Sequence, residues 1–190
     1  MKTKRKWLVY LLYLLIAVLP YGGLYYLHDW YKRSINNKEE AIIIIVSKED
    51  MSLSVYDYSG VLRFLAPIAC GKNYGNKEEE GDMKTPEGIF HVSEIVNSAT
   101  WKHDFKDGNG EIENAYGPYF IRLAIPNHKG LGIHGTHDTE SIGHRETEGC
   151  IRLRNNDLRA LVPLVKCGTV VVVIPSVMDV VKTEILDYKE

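Results

Sequence analysis

Cysteine is scarce in this sequence, and the few cysteines come in an odd number. Only Cys70, Cys150 and Cys167 occur among the 190 residues, so no complete disulfide framework exists and at least one thiol is unpaired or bonded between chains. A bond between Cys70 and Cys167 stays open, although their apolar settings also fit small buried side chains. Cys150 lies in a polar, glycine-rich setting, which makes it the candidate for a chemical role.

The body of the chain also lacks an excess of positive charge. The formal net charge is −2, and from Ser34 onward 17 basic residues stand against 24 acidic ones. A nucleic-acid surface needs a basic face, so we predict no nucleic-acid partner. An internal repeat and an alternation of strands with helices are absent too, which argues against repeat architectures and parallel α/β folds.

One long apolar run stands near the N-terminus. Residues 7–27 carry no charge, and as a helix these 21 residues would span roughly 30 Å, enough to cross a bilayer. The basic segment 1–6 should stay in the cytoplasm, so the chain after the run is expected outside it. We predict a transmembrane anchor or uncleaved signal at 7–27 and a polar stalk at 28–40. A cleaved signal peptide is the competing interpretation, but no small-residue cleavage site follows the run.

Residues 41–175 have the pattern of a β domain. Short β-branched or alternating runs are separated by turn residues, and strands outnumber helices. This predicts a mainly β domain of sandwich or barrel type, with mostly antiparallel strands and one or two short helices. The predicted strands have the sequences AIIIIV, SLSVYDY, VLRFLAPIAC, GIFHVSEI, PYFIRLAI and GTVVVVIP.

Outside these strands the domain contains two polar loops and one helix. The loops cover 71–88 and 96–117, and loops of this length are often functional. The helix is predicted to begin near Asn155 and Asn156, which are good N-cap residues. The tail, 176–190, has too little pattern for an assignment.

Reactive side chains concentrate between residues 132 and 158. A free thiol with a pKa of about 8.5 is mostly protonated at neutral pH, and a neighbouring imidazole can take its proton. Gly149 allows a substrate to approach the backbone, where amides could face a developing oxyanion. Spacing leaves the base open, because three histidines precede Cys150 by 16, 13 and 6 residues: His134, His137 and His144.

This segment resembles the signature of the YkuD-type L,D-transpeptidases. In that family a His-Gly pair precedes a Gly-Cys pair, which is followed by an aliphatic residue, Arg and another aliphatic residue. The matching elements are His134-Gly135 and residues 149–153. Thr85-Pro86-Glu87-Gly88 and the string AYGPYFIRL resemble further family elements, so the resemblance covers residues 41–175.

The resemblance implies a mechanism. Cys150 is expected to attack the carbonyl of the third residue of a peptidoglycan tetrapeptide stem, releasing D-Ala and leaving a thioester. An amine would then take the acyl group and form a 3-3 cross-link. His134 would move the protons, with its imidazole oriented by the Gly135 carbonyl.

The same resemblance implies a set of partners and a location. The expected partners are peptidoglycan stem peptides, with inhibition by carbapenems and with no cofactor and no metal. Together with the apolar run, it implies a single-pass protein of the cell inner membrane. Its catalytic domain would face the periplasm or the cell-wall side.

Further contacts to the oxyanion or the substrate are expected from Glu148, Gly149, Arg152 and Tyr116. Many family members have His where this chain has Glu148, and a carboxylate beside the thiolate would disfavour its charge if it pointed inward. We expect the Glu148 side chain to point outward or to contact substrate. Arg152 is expected either to hold structure or to meet a substrate carboxylate.

Alternatives remain in other classes of function. The histidines and Cys150 could ligate a metal, although no familiar zinc spacing is present. The domain could also be a non-catalytic peptidoglycan-binding module of the same fold. Within the enzyme class, an L,D-carboxypeptidase or a lipoprotein-attaching activity would use the same thioester. His137 and His144 are otherwise loop residues near a polar groove.

Overall fold

The computed structural model describes residues 20–32, 41–105, 108 and 110–187. The chain divides into two units, Met1–Ala41 and Ile42–Glu190. In the first unit residues 20–32 are helical (α1), which includes the first residues of the predicted stalk.

The predicted N-terminal segments fall largely outside the described residues. Segment 1–6 lies wholly outside them, as does 7–19 of the predicted membrane span. Within the part of the chain that the structure describes, no helix is long and apolar enough to cross a membrane.

The second unit is built on one mixed sheet of eight strands. Its strand order is β11-β9-β8-β5-β12-β1-β2-β3, and β4 with β10 and β6 with β7 form two small two-stranded sheets. The strands are β1 (Ile42–Ser47), β2 (Ser52–Asp57), β3 (Leu62–Pro67), β4 (Cys70–Gly71), β5 (Gly88–Asn97), β6 (Lys102–Asp104), β7 (Glu111–Glu113), β8 (Tyr119–Ala124), β9 (Gly132–His134), β10 (Arg145–Thr147), β11 (Ile151–Arg152) and β12 (Val170–Ile174).

The mainly β prediction is confirmed, and each of the six predicted strand sequences overlaps an observed strand. Side chains alternate across the sheet, so Ile44 and Val46 of β1 and Leu53 and Val55 of β2 are buried in the core. The expectation of mostly antiparallel pairing needs a correction, because β1 with β12, β9 with β11, and β4 with β10 are parallel. Loop 96–117 also differs from the prediction, since it contains the β6–β7 hairpin.

The large sheet curls until its two edges meet. β3 and β11 are the edge strands. Ala69, just after β3, exchanges two backbone hydrogen bonds of 2.9 Å with Arg152 in β11. This bridge satisfies polar groups that an open edge would leave unpaired. The bridge brings the start of the chain's β4 segment beside the strand that follows Cys150.

One helix of the second unit lies between β11 and β12, and another follows β12. The predicted helix is α2 (Asn155–Leu161), continued by a 3-10 turn at Val162–Leu164, and it buries Leu158 and Leu161. The tail left unassigned by the sequence contains a third helix, α3 (Val177–Asp187).

A buried ionic network fastens α3 to the domain. The Lys48 ammonium lies 3.2 Å from Asp179 in α3 and 2.6 Å from Glu87. Asp179 also accepts hydrogen bonds from the Gly75 amide, at 2.7 Å, and from Arg145, at 2.8 Å. Lys48 and Asp179 are each only 1% exposed. The network therefore joins α3, the end of β1, loop 71–88 and β10.

Replacing Asp179 by Asn should destabilise the fold by about 3–5 kcal/mol, because it leaves buried Lys48 and Arg145 without their shared anion. Burial opposes ionisation, but hydrogen bonds from Ser176 and Gly75 hold the pKa of Asp179 down at about 2, against 3.8 ordinarily. A carboxylate whose pKa is lowered in the folded state stabilises the fold when the pH is above its ordinary, unfolded-state pKa. This stabilisation is lost as the pH falls towards the pKa of the folded state. The difference in the free energy of unfolding between variant and wild type, measured in urea, should therefore decrease as the pH is lowered from 3.8 towards 2.

The matched control is Glu113→Gln. This change breaks an ion pair with Lys102 that is exposed on the β6–β7 hairpin, and it should leave the free energy of unfolding unchanged. Equal destabilisation by both variants would contradict a special role for the buried network.

Candidate active site

Strand register brings the candidate nucleophile and base to one face of the sheet. In the parallel pair β9–β11, Ile133 is opposite Ile151 and His134 is opposite Arg152. The two isoleucines point into the core, so His134 and Arg152 project from the other face. Cys150, two residues before Arg152, continues the same alternation. Both Cys150 and His134 line one cavity of about 380 Å³.

The His134 ring is buried and held from three sides. Its Nδ1 lies 2.5 Å from the Gly135 carbonyl oxygen, which can only accept a hydrogen bond. Nδ1 therefore carries the proton in the neutral ring, and Nε2 keeps the lone pair that a base requires. Phe120 stacks on the ring at 5.5 Å, and Tyr116 meets it edge-on at 4.9 Å.

Asn155 fixes the segment after His134, a function that the sequence did not reveal. Its side-chain oxygen accepts a hydrogen bond from the Thr136 amide and its nitrogen donates one to the Thr136 carbonyl, both at 2.9 Å. The predicted N-cap role is therefore wrong: the N-cap position is Arg154, without a side-chain cap. A Cβ at Gly117 or Gly135 would collide with this amide oxygen, so both glycines are needed for its approach.

Cys150 lies in a tight loop whose shape depends on Gly149. The Cys150 thiol is half-buried, and its Sγ lies 3.7 Å from the Gly130 carbonyl oxygen. The Gly149 amide donates to the Thr147 hydroxyl oxygen at 3.2 Å, so this amide is already engaged within the loop. The Thr147 hydroxyl in turn donates to the Cys150 carbonyl at 2.6 Å.

Gly149→Ala should lower the rate of any reaction of Cys150 by about a hundredfold, a loss typical of roughly 1 Å of misplacement. Gly149 has a φ of +128°, and an added Cβ would lie 2.6 Å from the Lys84 carbonyl oxygen. The loop must therefore shift. Gly143→Ala is the control, because Gly143 also has a positive φ, +96°, but its Cβ would meet open space. Comparing the alkylation rates of Cys150 in the two folded variants separates the effect of the clash from that of backbone strain. Equal rates in both variants would contradict a role for the clash.

The Glu148 side chain is engaged with the β6–β7 hairpin. Its Oε2 lies 3.0 Å from His103 Nε2, and His103 Nδ1 lies 2.9 Å from the Tyr116 hydroxyl oxygen. The expectation of a side chain that simply points outward therefore needs revision, although 45% of the Glu148 side chain is exposed. Tyr116 lines the cavity, as does His103, which the sequence did not single out.

Arg152 is buried against the same cavity. Its Nη1 donates to the Ser141 hydroxyl oxygen at 2.9 Å and lies 3.6 Å from an Asp138 carboxylate oxygen. Its Nε is buried and has no hydrogen-bond partner among the described residues. The side chain is thus tied into the structure while retaining one unmet donor.

Comparison with known proteins identifies the family of the chain. The model of the YkuD family, described as an L,D-transpeptidase catalytic domain, matches residues 41–173. The chain belongs to this L,D-transpeptidase family. The resemblance seen in the sequence is therefore confirmed, and membership implies an acyltransferase.

The chain is similar to one relative by sequence and to one solved structure. It is 38% identical over 132 residues to the Bacillus licheniformis protein YkuD, which carries the L,D-transpeptidase name, covering 70% of this chain and 65% of the relative. The crystal structure of the helical cell shape determining protein Pgp2 from Campylobacter jejuni is 27% identical, with a TM-score of 0.54 over 78% of this chain. The chain spans 55% of the length of Pgp2.

A third, more distant structure shares the fold of the YkuD-family domain. L,D-transpeptidase 3 from Mycobacterium tuberculosis, solved with a faropenem-derived adduct, is 19% identical and covers 70% of this chain and 60% of its own, with a TM-score of 0.54. At this identity the likeness shows the fold alone.

Both members of the candidate pair in this YkuD-family site are held neutral. Burial lowers the pKa of His134 to about 3, against 6.5 ordinarily. Burial likewise raises the pKa of the Cys150 thiol to about 11, although Arg152 acts in the opposite direction. At neutral pH the site thus contains a thiol and a neutral imidazole, and the thiolate forms only when a base takes its proton.

The other residues considered as ligands or partners do not line the cavity that contains Cys150 and His134. His137 packs against Phe105, and its Nδ1 is 3.4 Å from the Ala115 carbonyl oxygen. His144 is exposed and contributes backbone hydrogen bonds. The described residues contain no cluster of three or more His, Cys, Asp or Glu side chains arranged for a metal. All three cysteines are free, so the Cys70–Cys167 disulfide is not formed.

Proposed function

We propose that this protein is a peptidoglycan L,D-transpeptidase that works through a Cys150 thioester. The observation that carries the proposal is the shared cavity of Cys150 and His134, in which the Gly135 carbonyl leaves His134 Nε2 available as a base. In the first step Sγ bonds to the carbonyl carbon of the third stem residue while His134 takes the thiol proton. The C–N bond to D-Ala then breaks, and the proton passes to the leaving amine.

The second step returns the enzyme to its starting state. An amine of another stem attacks the thioester carbonyl, the C–S bond breaks, and the amine proton passes through His134 to the sulfur. The product is a 3-3 cross-link. The likeness to Pgp2 supports a place for this reaction in cell-wall organisation and cell shape.

Incubation of the full chain with a disaccharide-tetrapeptide, followed by mass spectrometry of the products, tests the proposal. We expect 3-3 dimers and free D-Ala in equal amounts. Tripeptide monomers with D-Ala but without dimers would instead identify an L,D-carboxypeptidase. Transfer to a lysine-containing lipoprotein peptide would identify an attaching enzyme. Binding of the stem without either product would leave only a peptidoglycan-binding module.

The same thiol should react with carbapenems. Sγ would bond to the lactam carbonyl carbon while the lactam C–N bond breaks and its nitrogen gains a proton, so the whole drug is retained. Faropenem is also a β-lactam, and the faropenem-derived adduct on a protein of the same fold supports reaction with this class of compound.

We further propose that residues 7–27 anchor the protein in the inner membrane, with the catalytic domain on the periplasmic or cell-wall side. Their length and lack of charge support this, as do the basic residues before them. Cys167 is exposed and offers a direct test in intact cells of a Cys150→Ala background. Labelling by a membrane-impermeant maleimide is expected, whereas labelling only after lysis would contradict the proposed side.

A further inference from the structure

The loop that carries Cys150 is linked through side chains to the ring that packs on His134. Glu148, two residues before Cys150, contacts His103 of β6 across a sequence separation of 45 residues. His103 continues the link to the Tyr116 hydroxyl. We call these three residues the linking chain. Among the described residues, β6 pairs only with β7 and not with the large sheet. The position of this hairpin over the cavity therefore depends on side-chain contacts.

One arrangement of donors and acceptors satisfies the whole linking chain. A carboxylate only accepts hydrogen bonds, so His103 Nε2 donates a hydrogen bond to Glu148. In the ring tautomer with its proton on Nε2, Nδ1 accepts a hydrogen bond from the Tyr116 hydroxyl. Burial raises the pKa of Tyr116 to about 12, so that hydroxyl remains a donor at any physiological pH. The three groups match without a conflict of donors or acceptors.

The far end of the linking chain holds His134. The Tyr116 carbonyl oxygen accepts a hydrogen bond from the Gly135 amide at 2.9 Å. The Tyr116 ring also meets the His134 ring edge-on, with centroids 4.9 Å apart. Tyr116 therefore contacts the candidate base by its ring and the segment after it by its backbone.

We propose that the linking chain positions the reacting pair by setting the spacing between the Cys150 thiol and the His134 imidazole. Glu148 and His103 are positioning residues in this assignment, since they act through the loop and through Tyr116. The assignment rests on the function proposed above. It explains how a chain with Glu at the position of a common family His keeps a competent site.

His103 also keeps the negative charge of Glu148 directed away from Cys150. Glu148 is among the groups that raise the pKa of the Cys150 thiol, because a nearby carboxylate repels the thiolate. In the linking chain this carboxylate faces His103. Removal of His103 alone frees it to turn towards the sulfur, whereas removal of both residues does not. His103→Ala should therefore impair the site more than the double variant.

The test is the rate at which meropenem acylates the full chain, followed by intact mass. Glu148→Ala should lower the maximal acylation rate about tenfold, because the Cys150 thiol and the His134 imidazole lose their mutual orientation. His103→Ala should lower this rate further. The meropenem concentration giving half-maximal rate should stay unchanged. The reciprocal exchange, Glu148→His with His103→Glu, restores a hydrogen-bonded pair and should regain most of the rate. Lys102→Ala is the control, since it breaks another ion pair of the same hairpin and should react like wild type.

Each outcome separates this assignment from the function on which it rests. If folded wild-type protein forms no adduct, the proposed function itself fails. If wild type reacts and both single alanine variants react as fast as wild type, the positioning role is wrong. It is also wrong if the exchange variant, with an unchanged melting temperature, is as slow as the alanine variants. Should an alanine variant fail to fold, the exchange variant alone decides, because it keeps the pair.

Discussion

Cys150→Ala is expected to reduce the formation of 3-3 dimers by about 10⁴-fold or more, as loss of a covalent nucleophile does in other acyl-transfer enzymes. The thiol is the group in the shared cavity that can form the acyl intermediate, so its removal leaves no two-step path. Dimer production from a disaccharide-tetrapeptide, measured by chromatography and mass spectrometry, checks this. Alanine removes only the sulfur, so the melting temperature should change little.

The other two cysteines provide matched controls. Cys167 is exposed and Cys70 is buried in the core, and all three thiols are free. Cys167→Ala and Cys70→Ala should keep the wild-type rate, although Cys70→Ala should lower stability slightly because it leaves a small cavity. Dimer formation that survives Cys150→Ala, or that is lost with Cys167→Ala, would place the nucleophile elsewhere.

His134→Gln is expected to lower the acylation rate by about 10²–10⁴-fold, the usual contribution of a general base. The wild-type and variant pH profiles should also differ in shape. Burial lowers the pKa of His134 to about 3 and raises the pKa of Cys150 to about 11. In wild type the imidazole stays neutral well below pH 6.5, so the rate should show no acid limb near that pH. Without the base, the rate should rise with the thiolate, by about tenfold per pH unit up to pH 11.

His144→Gln is the control for this profile. His144 is exposed and lies apart from the cavity that contains Cys150. Its replacement should change neither the rate nor the profile. A loss in His144→Gln equal to that in His134→Gln, or a steep thiolate-type profile in wild type, would remove His134 from the role of base.

The strands were predictable because burial on one face imposes a period of two. In β2, Ser52–Asp57, half-buried and buried positions alternate along the whole strand, and polar and apolar residues alternate in the same way from Ser52 to Val55. The pairing of strands was not predictable in the same way. β1 pairs in parallel with β12, more than a hundred residues later, and a β-branched run marks a strand without naming its neighbour.

Helix α3 escaped prediction for a related reason. Val177, Val180 and Val181 are exposed, so burial of an apolar face is not what holds this part of the helix to the domain. The helix is fastened instead by the buried Asp179, whose partners lie far along the chain. A single buried carboxylate of this kind has no periodic signature.

In the candidate site, too, the sequence predicted some residues, but not the contacts between residues far apart in the chain. His134 and Cys150 were assigned from a family resemblance, and strand register then places them on one face of the sheet. Asn155 has the local chemistry of an N-cap, but tertiary contact with Thr136 uses its amide instead. His103 and Glu148 are 45 residues apart, so no short motif could have joined them.

Intact mass followed by peptide mapping tests most directly whether the Cys150 thiol forms the acyl intermediate. The full chain would be incubated with a tetrapeptide stem, quenched in acid and digested. We expect one adduct per chain, with the mass of the stem less D-Ala, on the peptide that contains Cys150. A folded chain without an adduct that still produces 3-3 dimers, or an adduct on the peptide containing Cys167, would contradict it.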